Sequence, residues 1–124
     1  MSAAPFDPIT FQVLWSRLIS IADEVAATLV KTAFSHVVRD NHDYSIGLYD
    51  DEGRMLAQST QCTPGQIGAM PSVMKDFLDR YPAATLVPGD VLITNDPWFG
   101  SGHTPDVFVA APAFRGTRLV GFAV

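Results

Sequence analysis

The sequence predicts an α+β fold, with a long N-terminal helix and a short helix packed on a sheet built from antiparallel hairpins. Three features predict it. Apolar residues recur at helical spacing through the first third of the chain. A shorter stripe of the same kind surrounds Val73 to Tyr81. The remaining apolar segments are short and are separated by turn residues. No repeat, low-complexity tract or interdomain linker interrupts the 124 residues, which therefore read as one domain or a piece of one.

Asp7-Pro8 starts the first helix by a known mechanism: an N-cap carboxylate is followed by proline at the first helical position. Phe11, Leu14, Trp15, Leu18, Ile19, Ala22, Val25, Ala26, Leu29 and Ala33 then form a continuous stripe of 3.6-residue period. A helix from about Pro8 to about Phe34 is expected, ~40 Å long at 1.5 Å per residue. Its face is expected to be the main contributor to the core. That length exceeds what a core of this size can cover, so the helix either overhangs a sheet or is covered by other sequence or another subunit. Arg17, Asp23, Glu24 and Lys31 lie mostly off the stripe and read as solvated.

The stretch S-H-V-V-R-D-N-H from Ser35 to His42 is polar and aperiodic, and reads as a loop carrying His36, Arg39, Asp40 and His42. Tyr44 to Tyr49 and Met55 to Gln58 flank D-D-E-G and read as a hairpin, with Gly53 in the left-handed conformation. T-P-G-Q-I-G, with Gly65 and Gly68, is expected to be nonregular. A short amphipathic helix is expected to start near Pro71, burying Met70, Val73, Met74, Phe77, Leu78 and Tyr81. Its methionines read as core filler. Pro88-Gly89-Asp90 turns into a strand from Val91 to Thr94, and a second hairpin pairs Val107 to Ala113 with Arg118 to Val124.

Between that strand and that hairpin lies N-D-P-W-F-G-S-G-H-T-P-D, Asn95 to Asp106. Its prolines fix φ and its glycines admit positive φ, so it is a shaped loop that aims side chains. Asn95, Asp96, His103 and Asp106 can do chemistry there. His103 and Asp106 form a His-x-x-Asp pair, whose imidazole and carboxylate suit Mn, Fe or Zn. A catalytic metal site needs about three protein ligands and an open position, so two visible ligands fall short of one. Asp96 and Asp106 equally suit turns that bond their own backbone, and Asn95 an Asx turn.

Composition narrows the partners. The net charge of −5, with no Lys/Arg cluster, argues against nucleic acid and anionic lipid surfaces. The charged fraction of 17% is low against the usual ~25%, which suggests surface meant for a partner. Cys62 is the only cysteine, so no intrachain disulfide or Cys-based metal cage forms; it reads as a small buried apolar residue in a reducing compartment. No secretory leader and no apolar run of membrane-spanning length is visible, and a cytoplasmic location is the expectation. No G-x-x-x-x-G-K-[ST] loop is present for ATP.

The Asn95–Asp106 loop resembles the N-D-P-[YW]-x-G-G-T-H-L-P-D signature of the hydantoinase B/oxoprolinase family, which includes the large subunit of acetone carboxylase. It departs at Ser101, Gly102 and Thr104, which changes loop shape and spares the candidate ligands. D-P-I-T-F at Asp7, K-T-A-F-S at Lys31, D-Y-S-I-G-L-Y-D at Asp43 and P-G-D-V at Pro88 extend the resemblance over nearly the whole chain.

The resemblance implies a subunit that completes hydrolysis of a cyclic amide of hydantoin or 5-oxoproline type. It also implies a hydantoinase A-type partner that uses ATP, and a hetero-oligomeric assembly. Its alternatives are a carboxylase subunit of the acetone carboxylase type and a noncatalytic assembly module. It implies a divalent metal at His103 and Asp106, with Asp96 ligating or orienting His103 and Asn95 donating to a developing oxyanion. It marks Arg39 as the candidate contact for an anionic substrate. Relatives commonly have histidine where Gln66 stands, which leaves that role in doubt here. Family members are several times longer and soon carry a histidine-rich run. Together with the apolar ending L-V-G-F-A-V, this leads us to expect an N-terminal fragment that is inactive alone, its third metal ligand lying downstream. If the chain proved active by itself, that ligand would have to be sought among His36, His42 and Asp96.

Overall fold

The computed structural model describes residues 7–124. Helix α1 (Pro8–Thr32) begins where the N-cap places it: Asp7 Oδ1 accepts from Ile9 N and Thr10 N, both at 3.0 Å. It is followed by one turn, α2 (His36–Arg39), within the stretch expected to be a loop. A single four-residue turn is too short to show periodicity in sequence. Strands β1 (Gly47–Tyr49) and β2 (Met55–Gln58) form the first hairpin, with Gly53 at φ 79°. Helix α3 (Pro64–Arg80) leads through a 3-10 turn at Ala83–Thr85 to β3 (Leu92–Thr94). Strands β4 (Phe108–Arg115) and β5 (Arg118–Ala123) close the chain as the second hairpin, around Gly116 at φ 63°. All neighbours pair antiparallel in one five-stranded sheet of order β2-β1-β5-β4-β3. Helices on an antiparallel sheet are the α+β architecture that the sequence predicts.

Both faces of the β1 region are covered, and alternate residues go to opposite sides. Tyr44 and Ile46 are buried with Ala22 and Ala26 of α1, and Leu48 packs against them. Tyr49 instead joins Met70, Val73, Met74 and Phe77 of α3 with Leu92, Phe108, Ala110 and Phe122 of the sheet. This second cluster is the larger, which corrects the expectation for α1: the main core lies under α3. Along α1 only Ala22 and Ala26 are buried, while Phe11, Leu14 and Trp15 are each about half exposed. An apolar stripe requires some covering surface without saying which, and over these residues the sheet reaches only the C-terminal half of the helix.

Helix α3 also starts seven residues earlier than its expected first residue, Pro71. Pro64 holds the favoured first position, and the expected nonregular T-P-G-Q-I-G is its first turns. Pro71 lies inside the helix with its ring exposed. Interior proline ordinarily costs ~3 kcal/mol or more. Burial of Met70, Val73, Met74 and Phe77, at ~1.5–3 kcal/mol for each large apolar side chain, offsets it. Sheet closure depends on Gly121. A Cβ there would lie 2.2 Å from the Tyr49 carbonyl oxygen on β1, so only glycine lets these strands approach. Cys62 is half-buried and free, with Gln58 Nε2 3.5 Å from its sulfur. No helix among the described residues is long and apolar enough to cross a membrane.

Candidate functional site

The loop of residues 95–106 leaves edge strand β3 and returns into β4, whose Phe108 pairs with Thr94 at the base. Its shape comes from local bonds. Asp96 N donates to the Thr94 hydroxyl at 3.1 Å, Trp98 N donates to Asp96 Oδ1 at 2.9 Å, and Phe99 N donates to Asp96 O at 3.1 Å. Asp96 thus acts here as an Asx-turn residue, the plainer of its two expected roles. Asn95 Nδ2 donates to Thr104 O at 3.2 Å and ties the two ends of the loop together. Gly100 sits so close to Phe108 that a Cβ would meet the ring at 2.8 Å. The loop is thereby seated on the core.

The seating brings His103 to Asp106. Their Nε2 and Oδ2 atoms are 2.9 Å apart, with the imidazole half exposed and the carboxylate largely buried. A carboxylate only accepts, so Nε2 carries the proton of this bond. Burial acts to raise the Asp106 carboxyl. Bonding from Ser101, His103 and Gln66 outweighs it and holds the group below its ordinary value. The Ser101 hydroxyl is buried without a hydrogen bond of good geometry, yet lies near enough to Asp106 to contribute.

Gln66, in the first turns of α3, reaches a second carboxylate as well: its Nε2 donates to Asp43 Oδ1 at 3.0 Å, where Thr63 Oγ1 also donates at 3.2 Å. Asp43 is the residue that sequence reasoning about the site missed; Gln66 figures there only as standing where relatives commonly have histidine. The Gln66–Asp43 bond has no spacing signature, because 23 positions separate the two residues. Arg39 is placed apart from this cluster in its contacts. Its Nε donates to Asp40 at 2.9 Å, His36 Nδ1 lies 2.8 Å from the same carboxylate, and all three side chains are well exposed. The Arg39 guanidinium, and after it His36, hold the Asp40 carboxyl down at about 2. His42 stands beside Asp43 with φ 54° and its ring edge-on to Tyr44. Among the described residues, no group of three or more His, Cys, Asp or Glu side chains is gathered tightly enough to hold a metal.

The family model described as Hydantoinase B/oxoprolinase matches residues 7–124. The chain belongs to the hydantoinase B/oxoprolinase family. It is 34% identical over 120 residues to the B-type subunit of a D-/L-hydantoinase from Pseudomonas sp., covering 95% of this chain and 20% of that protein. To the 5-oxoprolinase of Saccharomyces cerevisiae it is 34% identical over 118 residues, covering 95% of this chain and 9% of that enzyme. The nucleotide-free structure of acetone carboxylase superposes with a TM-score of 0.80 at 26% identity, over 94% of this chain and 16% of that one. The chain therefore spans a fifth or less of the length of each of these relatives. The hydantoinase B/oxoprolinase signature read from the sequence coincides with the loop that carries the His103–Asp106 pair.

Proposed function

We propose that this chain supplies part of the catalytic centre of a hydantoinase B/oxoprolinase-type subunit, in which His103 and Asp106 hold a divalent metal ion. The pairing of an imidazole and a depressed carboxylate at 2.9 Å, on the loop that carries the family signature, is the observation behind this reading. The donors fit in kind. Imidazole and carboxylate suit Mn, Fe or Zn, and a carboxyl held below its ordinary value is already deprotonated, as a ligand must be. They fall short in number, since about three protein ligands make a catalytic site. A metal bound there supplies polarisation of a substrate carbonyl or acidification of a bound water.

The chain's own residues prepare that centre. Asn95 and Asp96 fix the loop at its neck and first turn, and Gln66 holds the Asp43 carboxylate; Arg39, apart from these and paired with Asp40, is the candidate contact for an anionic substrate group. A hydantoinase A-type partner would use ATP to activate the substrate, a cyclic amide of hydantoin or 5-oxoproline type, in keeping with the names of the relatives. Acetone carboxylase's structural likeness favours a second reading, carboxylation of an ATP-activated ketone in the same frame.

Turnover by the complete subunit with its ATP-using partner tests the proposal. Replacing either His103 or Asp106 by Ala should abolish ATP-dependent ring opening of 5-oxoproline or hydantoin, whereas Gln12→Ala, on exposed α1, should leave it intact. Turnover of a ketone with bicarbonate in place of a cyclic amide would favour the carboxylase reading. Full cyclic-amide turnover in both loop variants would refute the metal role.

A further inference from the structure

Arg80, in the last turn of α3, lies with its Cζ 4.2 Å from the centroid of the Phe99 ring. Phe99 is the fifth residue of the 95–106 loop, and this is a contact between that loop and the helix over the main core. Asp76 and Asp96 line a cavity of about 100 Å³ beside the stacked pair, together with Thr94, yet among the described residues Arg80 makes no ion pair. Its guanidinium rests on the aromatic face, where the ring quadrupole attracts a cation.

We infer that Arg80 is a positioning residue for the candidate metal site, latching the turn at residues 96–100 onto α3 and so holding His103 against Asp106. This inference rests on the function proposed above for that pair. The path from latch to pair is short. Gly100, next to Phe99, is wedged against Phe108, and Ser101 follows with a buried hydroxyl, two residues before His103. A turn free to lift from α3 would unseat Gly100 and Ser101 and slacken the loop on which His103 stands. The backbone of residues 97–99 is bonded only within the loop, so the Phe99 ring is its hold on the helix.

A plainer role for Arg80 is a cation at a helix C-terminus, where it complements the helix dipole. Phe99→Leu separates the two, because it removes the ring and leaves the charge. Amide hydrogen exchange and ¹⁵N shifts of the His103 ring, measured on the 124-residue chain without metal, read the latch directly. Arg80→Gln and Phe99→Leu should each speed exchange at Trp98 and Phe99 about two- to fivefold, the factor for a cation–π contact at an exposed site. The double variant should go no further than either single one. The His103 ring nitrogens should move toward the values of a free imidazole, exchange at Ala110 and Phe122 should stay unchanged, and Arg80→Lys should fall between wild type and Arg80→Gln. Unchanged exchange at Trp98 and Phe99, additive effects of the two substitutions, or an unmoved His103 would overturn the inference. Since these readouts need no metal, a complete subunit that binds none while His103 of the 124-residue chain responds to Phe99→Leu refutes only the metal reading.

Discussion

Met74→Ala and Leu18→Ala together test where the core lies. Met74 is fully buried in α3 among Tyr49, Val73 and Phe77, and truncation there removes transfer energy and leaves a cavity. Buried Met→Ala changes cost ~2–5 kcal/mol, and the close packing between α3 and the sheet places this one in the upper half of that range. Leu18 is half-buried and belongs to neither buried cluster. A fully buried leucine is worth ~1.5–3 kcal/mol, so about half of that, ~1 kcal/mol, is expected for Leu18→Ala. Urea titration of the two variants against the wild type, with a common m-value, measures both costs. A cost for Leu18→Ala equal to or above that of Met74→Ala would put the main core under α1 and refute the packing described above.

Other expectations follow from single contacts. Gly121→Ala forces a Cβ to 2.2 Å from the Tyr49 carbonyl and should cost ~3 kcal/mol or more in the same titration; a cost under ~1 kcal/mol would mean that β1 and β5 need no such close approach. Asp106 titrates below its ordinary value of 3.8 in the folded chain, so its stabilising contribution is complete above that value and is lost as pH falls through the lower folded one. Stability measured from about pH 5 to about pH 2 should therefore fall less steeply in Asp106→Asn than in wild type, and equal slopes would contradict this. Phe11 and Trp15 pack with ring centroids 5.7 Å apart, tilted at 44°, on the uncovered half of α1. Sedimentation should show the 124-residue chain self-associating and the Phe11→Gln/Trp15→Gln variant doing so less, with its urea midpoint nearly unchanged; equal association would locate the sticky surface elsewhere.

What was legible in the sequence was set by local chemistry. The Asp7 cap, the Gly53 and Gly116 turns and the strand feeding the 95–106 loop each depend on neighbours within a few residues, and each stands where expected. The start of α3 was hidden because Gly65, Gly68 and Pro71 all argue against a helix locally, and only burial of Met70 to Phe77 against the sheet outweighs them. The balance between α1 and α3 was hidden for a related reason: periodicity reports that a face is apolar, whereas coverage depends on what the rest of the fold can reach. At the site, His103 and Asp106 are three residues apart and share one loop, so their pairing was open to sequence reasoning. Gln66 and Asp43 meet each other only through tertiary structure, and Asn95 and Asp96 have local hydrogen-bonding partners that spacing could not choose among.

Binding of Mn(II) to the complete subunit, followed by electron paramagnetic resonance titration of the free ion, tests the central claim most directly. His103 and Asp106, with a further ligand from the rest of the subunit, should give one site per subunit. Asp106→Ala should weaken it at least about tenfold, the scale on which even groups behind the ligands act. His103→Ala should do the same, while Asn41→Ala on the exposed surface should not. Equal affinity in wild type and both loop variants, or no binding by the wild type, would contradict the assignment of the pair as metal ligands.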